Sequence, residues 1–229
     1  MTVQTIAVPP RVRGGRHRAR RRALPWRLLF LHPRARQLGW AIVGLAAVAL
    51  VGWWMVDALA HRGATPDAAA RLPAVVALPL VGAIIASIGL GGADEELERS
   101  TAWRWRAARA VHVLVVAVTV AAVVGSIGPW EPSTYGTHEI VRKAVACVGV
   151  VAASAVILGA RLAWAPIFAY VVTVYFTAPR PLTNGTALWT WPVQPSGSPA
   201  AWTTAMTLFV LGMALYTVSG PRPTSTRDE

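Results

Sequence analysis

The stretch Leu38–Ala60, LGWAIVGLAAVALVGWWMVDALA, carries no ionisable side chain until Asp57. A bilayer's hydrocarbon layer is about 30 Å thick, and a helix crosses it with about 20 mostly apolar residues. This segment therefore has the length and composition of one crossing. Five more apolar runs follow: Leu72–Leu90, Ala110–Ile127, Ala144–Ala160, Pro166–Ala178 and Ala200–Val218. The 229-residue chain is 55% hydrophobic and 14% charged, against roughly 25% charged in an average globular protein. A water-soluble fold would have to pack five or six helices, apolar on every face, into one small domain. Lipid is the simpler solvent for such a chain.

The expected fold class is all-α: a polytopic transmembrane helix bundle of six spans over residues 38–218. It is preceded by a basic tail, 1–37, and followed by a C-terminal tail, 219–229. The fifth run is the short one. Ile167–Phe176 is ten residues between Pro166 and Pro179, and AYVVTVYF is rich in β-branched and aromatic residues with soft helical preference. Five spans plus a re-entrant segment is the alternative.

Arginine placement predicts the orientation, because cytoplasmic loops hold an excess of Lys and Arg. Residues 1–37 contain ten arginines and no acid. With six spans, 17 of the 22 basic residues fall on the side of the amino terminus. Five fall on the other side: Arg62, Arg71, Arg142, Lys143 and Arg180. Both termini are thus expected in the cytoplasm of a multi-pass protein of the cell membrane. Arginine outnumbers lysine 21 to 1, which suggests a GC-rich bacterial genome and hence a bacterial inner membrane.

The formal charge of +12 needs no nucleic-acid partner. The tail has no aromatic interleaving before Trp26, and its natural partner is a layer of anionic lipid headgroups, at roughly 1 kcal/mol per basic residue near the surface. Leu24–Leu31, bounded by Pro25 and Pro33, is expected as a short interfacial helix. The tail lacks the long apolar core and small-residue cleavage site of a secretory signal. A single cysteine, Cys147, permits no internal disulfide.

Between the second and third runs lies a charged insert, GGADEELERSTAWRWRAARAVHV, from Gly91 to Val113. Asp94 can cap a helix, and Glu95, Glu96 and Glu98 suit its positive end. Glu95 and Arg99 stand four apart in the favourable order. Trp103 and Trp105 can anchor at the interface while Arg104, Arg106 and Arg109 reach headgroups or an acidic partner. On the opposite side, the connection from Arg180 to Ala200 is rich in proline and tryptophan and is expected to lie against the outer face or dip into it. Small residues four apart, Gly82 with Ala86 and Gly149 with Ala153, allow close helix approach.

Several chemistries are excluded by what the chain lacks. There is no phosphate-binding G-x-x-x-x-G-K-[ST] loop, and Lys143 is the sole lysine. No H-E-x-x-H or Cys/His cluster offers a metal site. His17, His32, His61, His112 and His138 are scattered at tails and run ends. Asp57 and His112 lie near the ends of their runs, so no acid or base is expected at mid-span. The expectation is a protein that is not an enzyme and holds no cofactor.

The layout resembles the ABC-2-type exporter permeases. The likeness rests on a cytoplasmic start with a short surface helix, six spans, a charged inner loop between spans two and three, and an outer loop between five and six. The resemblance implies a permease subunit that relies on a separate ATP-binding subunit and works as a homo- or hetero-oligomer. It implies that Glu95, Glu96, Glu98, Arg99, Trp103, Arg104, Arg106 and Arg109 form the ATPase-coupling loop. It also implies an outer gate at Arg180–Trp202. The alternative from the same residues is a non-catalytic integral membrane scaffold, immunity or assembly protein.

Overall fold

The computed structural model describes residues 38–61, 68–90, 102–127 and 136–222. The basic tail with its expected interfacial helix, Glu95, Glu96, Glu98, Arg99 and residues 223–229 lie outside the described residues. The described chain is helical: α1 (Leu38–Ala60), α2 (Ala68–Ser87, extended by a 3-10 turn, Ile88–Leu90), α3 (Ala102–Gly125), α4 (Thr137–Leu158), α5 (Ala165–Thr177) and α6 (Pro199–Ser219). Five of the six are long and apolar enough to cross a membrane. The exception is α5, whose 13 residues span only about 20 Å at 1.5 Å per residue.

The boundaries differ from the apolar runs at two informative places. Helix α3 starts at Ala102 rather than Ala110, so Trp103, Arg104, Trp105, Arg106 and Arg109 ride on its first turns, continuous with the span. Helix α4 starts at Thr137 rather than Ala144. Glu139, Arg142 and Lys143 therefore belong to a membrane-length helix, and counting Arg142 and Lys143 with a polar connection was wrong. An apolar scan stops at the first charge, but a helix does not. Its early turns tolerate an acid such as Glu139 beside unpaired N–H groups.

Two sets of contacts define the ends of the bundle. At one end the His112 ring bonds the Gly89 carbonyl at 2.9 Å. Tyr216 donates its hydroxyl to the Leu90 carbonyl at 2.7 Å. The Arg222 N–H reaches the Ala155 carbonyl at 3.0 Å. Gly44 of α1 also packs on Ile85 of α2 here. At the other end the Trp53 indole N–H meets the Ser126 carbonyl at 3.3 Å, and the Gly136 N–H meets the Ser196 hydroxyl at 3.1 Å. We call these the Arg109 end and the Arg142 end. The start of α1 and the finish of α6 both lie at the Arg109 end. Helices α4 and α6 run parallel, and α5 with the segment 178–198 returns the chain between them.

The core runs through α4, which packs against α2, α3 and α6. Helices α4 and α6 approach closely where Gly149 faces Gly212. A β-carbon on Gly149 would lie 2.8 Å from the Leu208 carbonyl oxygen, and one on Gly212 would lie 3.0 Å from the Gly149 α-carbon and closer still to its carbonyl group. Gly149 thus pairs with a glycine on another helix rather than acting with Ala153 alone. Helices α4 and α6 end on Gly159 (φ 84°) and Gly220 (φ 71°), positive-φ conformations that glycine adopts without steric cost. Ser198 caps the start of α6 by accepting the Ala201 N–H, and Pro199 follows it.

The Arg109 end is tied by side chains as well. The Arg109 guanidinium stands against Gly220, where an added β-carbon would lie 2.7 Å from it. A cation at the last carbonyls of a helix is stabilising by up to about 2 kcal/mol in partly buried geometry. Tyr216→Phe removes the hydroxyl that donates to the Leu90 carbonyl, so it should cost about 0.5–1.5 kcal/mol. A thermal melt in detergent checks this, and an unchanged midpoint would remove Tyr216 from the tie.

Candidate functional site

The first two turns of α4 set Glu139, Arg142 and Lys143 on one face, since positions i, i+3 and i+4 of a helix are neighbours. All three are buried, Glu139 and Arg142 fully and Lys143 at 2% exposure. Lys143 Nζ donates to Glu139 Oε1. The guanidinium of Arg142 spans two consecutive carbonyls, Gln194 at 2.7 Å and Pro195 at 3.1 Å. Its carbon also lies 5.9 Å from the centre of the Trp202 ring, within range of a cation–π attraction. One turn deeper is Cys147, also buried.

The roof of this cluster is the segment between α5 and α6. It folds inward: Thr190, Trp191, Val193, Gln194 and Ser198 are buried. The Gln194 amide nitrogen donates to the Thr190 hydroxyl at 2.8 Å and to the Thr183 carbonyl at 3.3 Å. The Thr190 hydroxyl in turn donates to the Thr186 carbonyl at 2.8 Å. Trp191 stacks on Tyr170 with ring centres 6.3 Å apart, and the Tyr170 hydroxyl donates to the Trp189 carbonyl. An inward-folded loop carries many backbone polar groups that lipid cannot satisfy. This one uses short turns, threonine hydroxyls and Arg142 to satisfy them. Helix α5 presents Phe168, Val172 and Phe176 outward and Ile167, Val171 and Val174 inward, so it walls the loop on one side.

Charge inside a membrane-length helix is costly and usually faces a bundle interior or a polar path. Here the acid–base pair and the arginine face inward, toward the loop. Glu139 Oε2 and Arg142 Nε have no hydrogen-bond partner among the described residues. The starts of α4 and α6 both point to this end, so two positive helix termini add to the local field. The lateral groove of about 470 Å³ between α1 and α2, walled by Val48, Val51, Met55, Pro73, Leu78 and Ile85, is wholly apolar and offers no such chemistry.

Of the residues expected to form a coupling loop, the four described lie elsewhere. Trp103 and Arg104 lie on the first turn of α3, Arg106 is exposed, and Arg109 is half-buried against Gly220. No group of three or more His, Cys, Asp or Glu fit to hold a metal occurs among the described residues. The buried cluster of α4 is what the apolar scan missed. Its signal was present in the spacing: Glu139, Arg142, Lys143, Ala146 and Cys147 follow the 3.6-residue period of one helical face.

Fold and site together define a helical bundle with five membrane-length apolar helices and an ion cluster buried near one end. Comparison of the chain with protein-family models, curated proteins and solved structures finds no match.

Proposed function

We propose that the chain is the membrane-spanning permease subunit of an exporter, energised by a separate ATP-binding subunit. The observation that carries this reading is the tie at the Arg109 end. There α2, α3 and α6 are joined through His112, Tyr216 and Arg109, next to where the 91–101 connection enters α3. A push on that connection would bear on three helices together, which is what a coupling element requires. The excess of basic residues supports a cytoplasmic position for this end, with Arg104 and Arg106 toward the ATPase. The inward-folded loop of the Arg142 end is then the outer gate, in a homo- or hetero-oligomer within the cell membrane.

Crosslinking in intact membranes followed by purification should recover an ATPase. Charge reversal at Arg104 and Arg106 should lower that recovery and raise cellular accumulation of the exported compound. Recovery of no ATPase, with export untouched by the double reversal, would overturn the reading. Recruitment of partners by the basic tail without any change in export would favour the non-catalytic scaffold instead.

A further inference from the structure

We propose that Arg142 and Lys143 form an oxyanion site which the loop carbonyls of Gln194 and Pro195 occupy in the present conformation. Its ligand is a solute or headgroup bearing a carboxylate or a phosphate. The two terminal nitrogens of Arg142 point at two oxygens, 2.7 and 3.1 Å away, from adjacent residues. That is the forked arrangement in which a guanidinium holds a carboxylate or phosphate. The loop supplies neutral oxygens where an anion would supply charged ones.

The unmet hydrogen-bonding capacity points the same way. Lys143 carries three donors and bonds Glu139 alone among the described residues. Arg142 Nε is a further buried donor without a partner among the described residues, where Glu139 Oε2 is also without one. Free donors therefore outnumber free acceptors. Two cations against one carboxylate leave an excess positive charge, and the starts of α4 and α6 at this end add to it. A ligand with several acceptor oxygens and one O–H or N–H, such as a monoprotonated phosphate ester or an amino acid, matches this set. Glu139 engages Lys143 in the present conformation and so competes with the ligand for its donors. Trp202 lies over Arg142 and reports its surroundings. The inference is independent of the ATPase partnership.

The test uses the full chain in maltoside micelles free of added lipid, titrated with inorganic phosphate or acetate against chloride at constant ionic strength. Two signals are followed: tryptophan emission, with Trp202→Phe as the control, and the alkylation rate of Cys147, the single cysteine. Phosphate or acetate should change both saturably, and chloride should not. Lys143→Met should weaken the apparent affinity at least about tenfold. Glu139→Gln releases Lys143 from its carboxylate and should tighten binding at least about tenfold. Opposite shifts from two neighbouring substitutions are not the signature of a merely structural pair. If phosphatidylglycerol added to the micelles saturates the signals and free phosphate and acetate do not, the site stands and its ligand is a lipid headgroup. Absence of saturation with all three, or shifts of the two variants in the same direction, would overturn the proposal.

Discussion

Gly212→Ala should cost the bundle about 3 kcal/mol, near the upper end for overpacking, or roughly a hundredfold in the folding equilibrium. The reason is that nothing near the new methyl group can yield. Its obstacle is the Gly149 carbonyl group and α-carbon, held in the middle of a 22-residue helix. The two helices would have to separate, and α4 is the one against which α2 and α3 also pack. In lipid there is no compensating burial to draw them back, because packing itself drives helix association there. Gly149→Ala meets the Phe209 backbone and should behave alike. The double substitution should cost less than the sum, since both methyl groups open one crossing. Gly39→Ala is the matched control, with nothing within 4 Å of its added carbon. Thermal unfolding in one detergent, together with the yield of monodisperse protein, gives the comparison. Equal stability of Gly212→Ala and Gly39→Ala would mean that α4 and α6 do not cross at these glycines.

The glycine crossing also marks where the sequence stopped being readable. Long apolar runs announce themselves by composition, and Leu38–Ala60 is helical over its whole expected length. The short fifth run was marked by Pro166 and Pro179, and it is a 13-residue helix, Ala165–Thr177, with Pro166 in its first turn and its end just before Pro179. Which small residues face which helix depends on rotation about each axis, and period 3.6 leaves that open in a segment apolar all round. Hence Gly149 was visible as a packing residue while its partner Gly212 was not. The buried cluster was hidden for a different reason. Arg142 and Lys143 look like loop residues until something is known to cover them, and the cover comes from residues 190–198, some 50 positions away in the chain. From its prolines and tryptophans that connection reads as lying against the outer face or dipping into it. Only the fold shows that Trp191 is buried and that Gln194 and Pro195 hold an arginine.

That cover leads to the second large expected effect. Arg142→Ala should release the loop from α4 and cost about 3–5 kcal/mol, the usual consequence of removing one member of a buried charged network. Two carbonyls lose their donor at once, and that of Gln194 belongs to a buried residue. The loss should be local before it is global, because the Gly149–Gly212 crossing and the ties of the Arg109 end do not involve Arg142. Cys147 makes this visible. It is buried one turn below Lys143, and its alkylation by a polar maleimide requires the loop to lift. In the unaltered chain the reaction should be slow. In Arg142→Ala it should rise about a hundredfold or more at a temperature where helical circular dichroism is unchanged, as about 3 kcal/mol of local opening implies. The contrasting variant replaces Glu139 and Lys143 together by leucine. Removing a buried pair as a unit is often neutral or stabilising, so stability should hold and Cys147 should remain slow. If Cys147 stays unreactive in Arg142→Ala, the guanidinium is not what keeps the loop in place. The packing of Trp191 on Tyr170 would then have to hold it unaided.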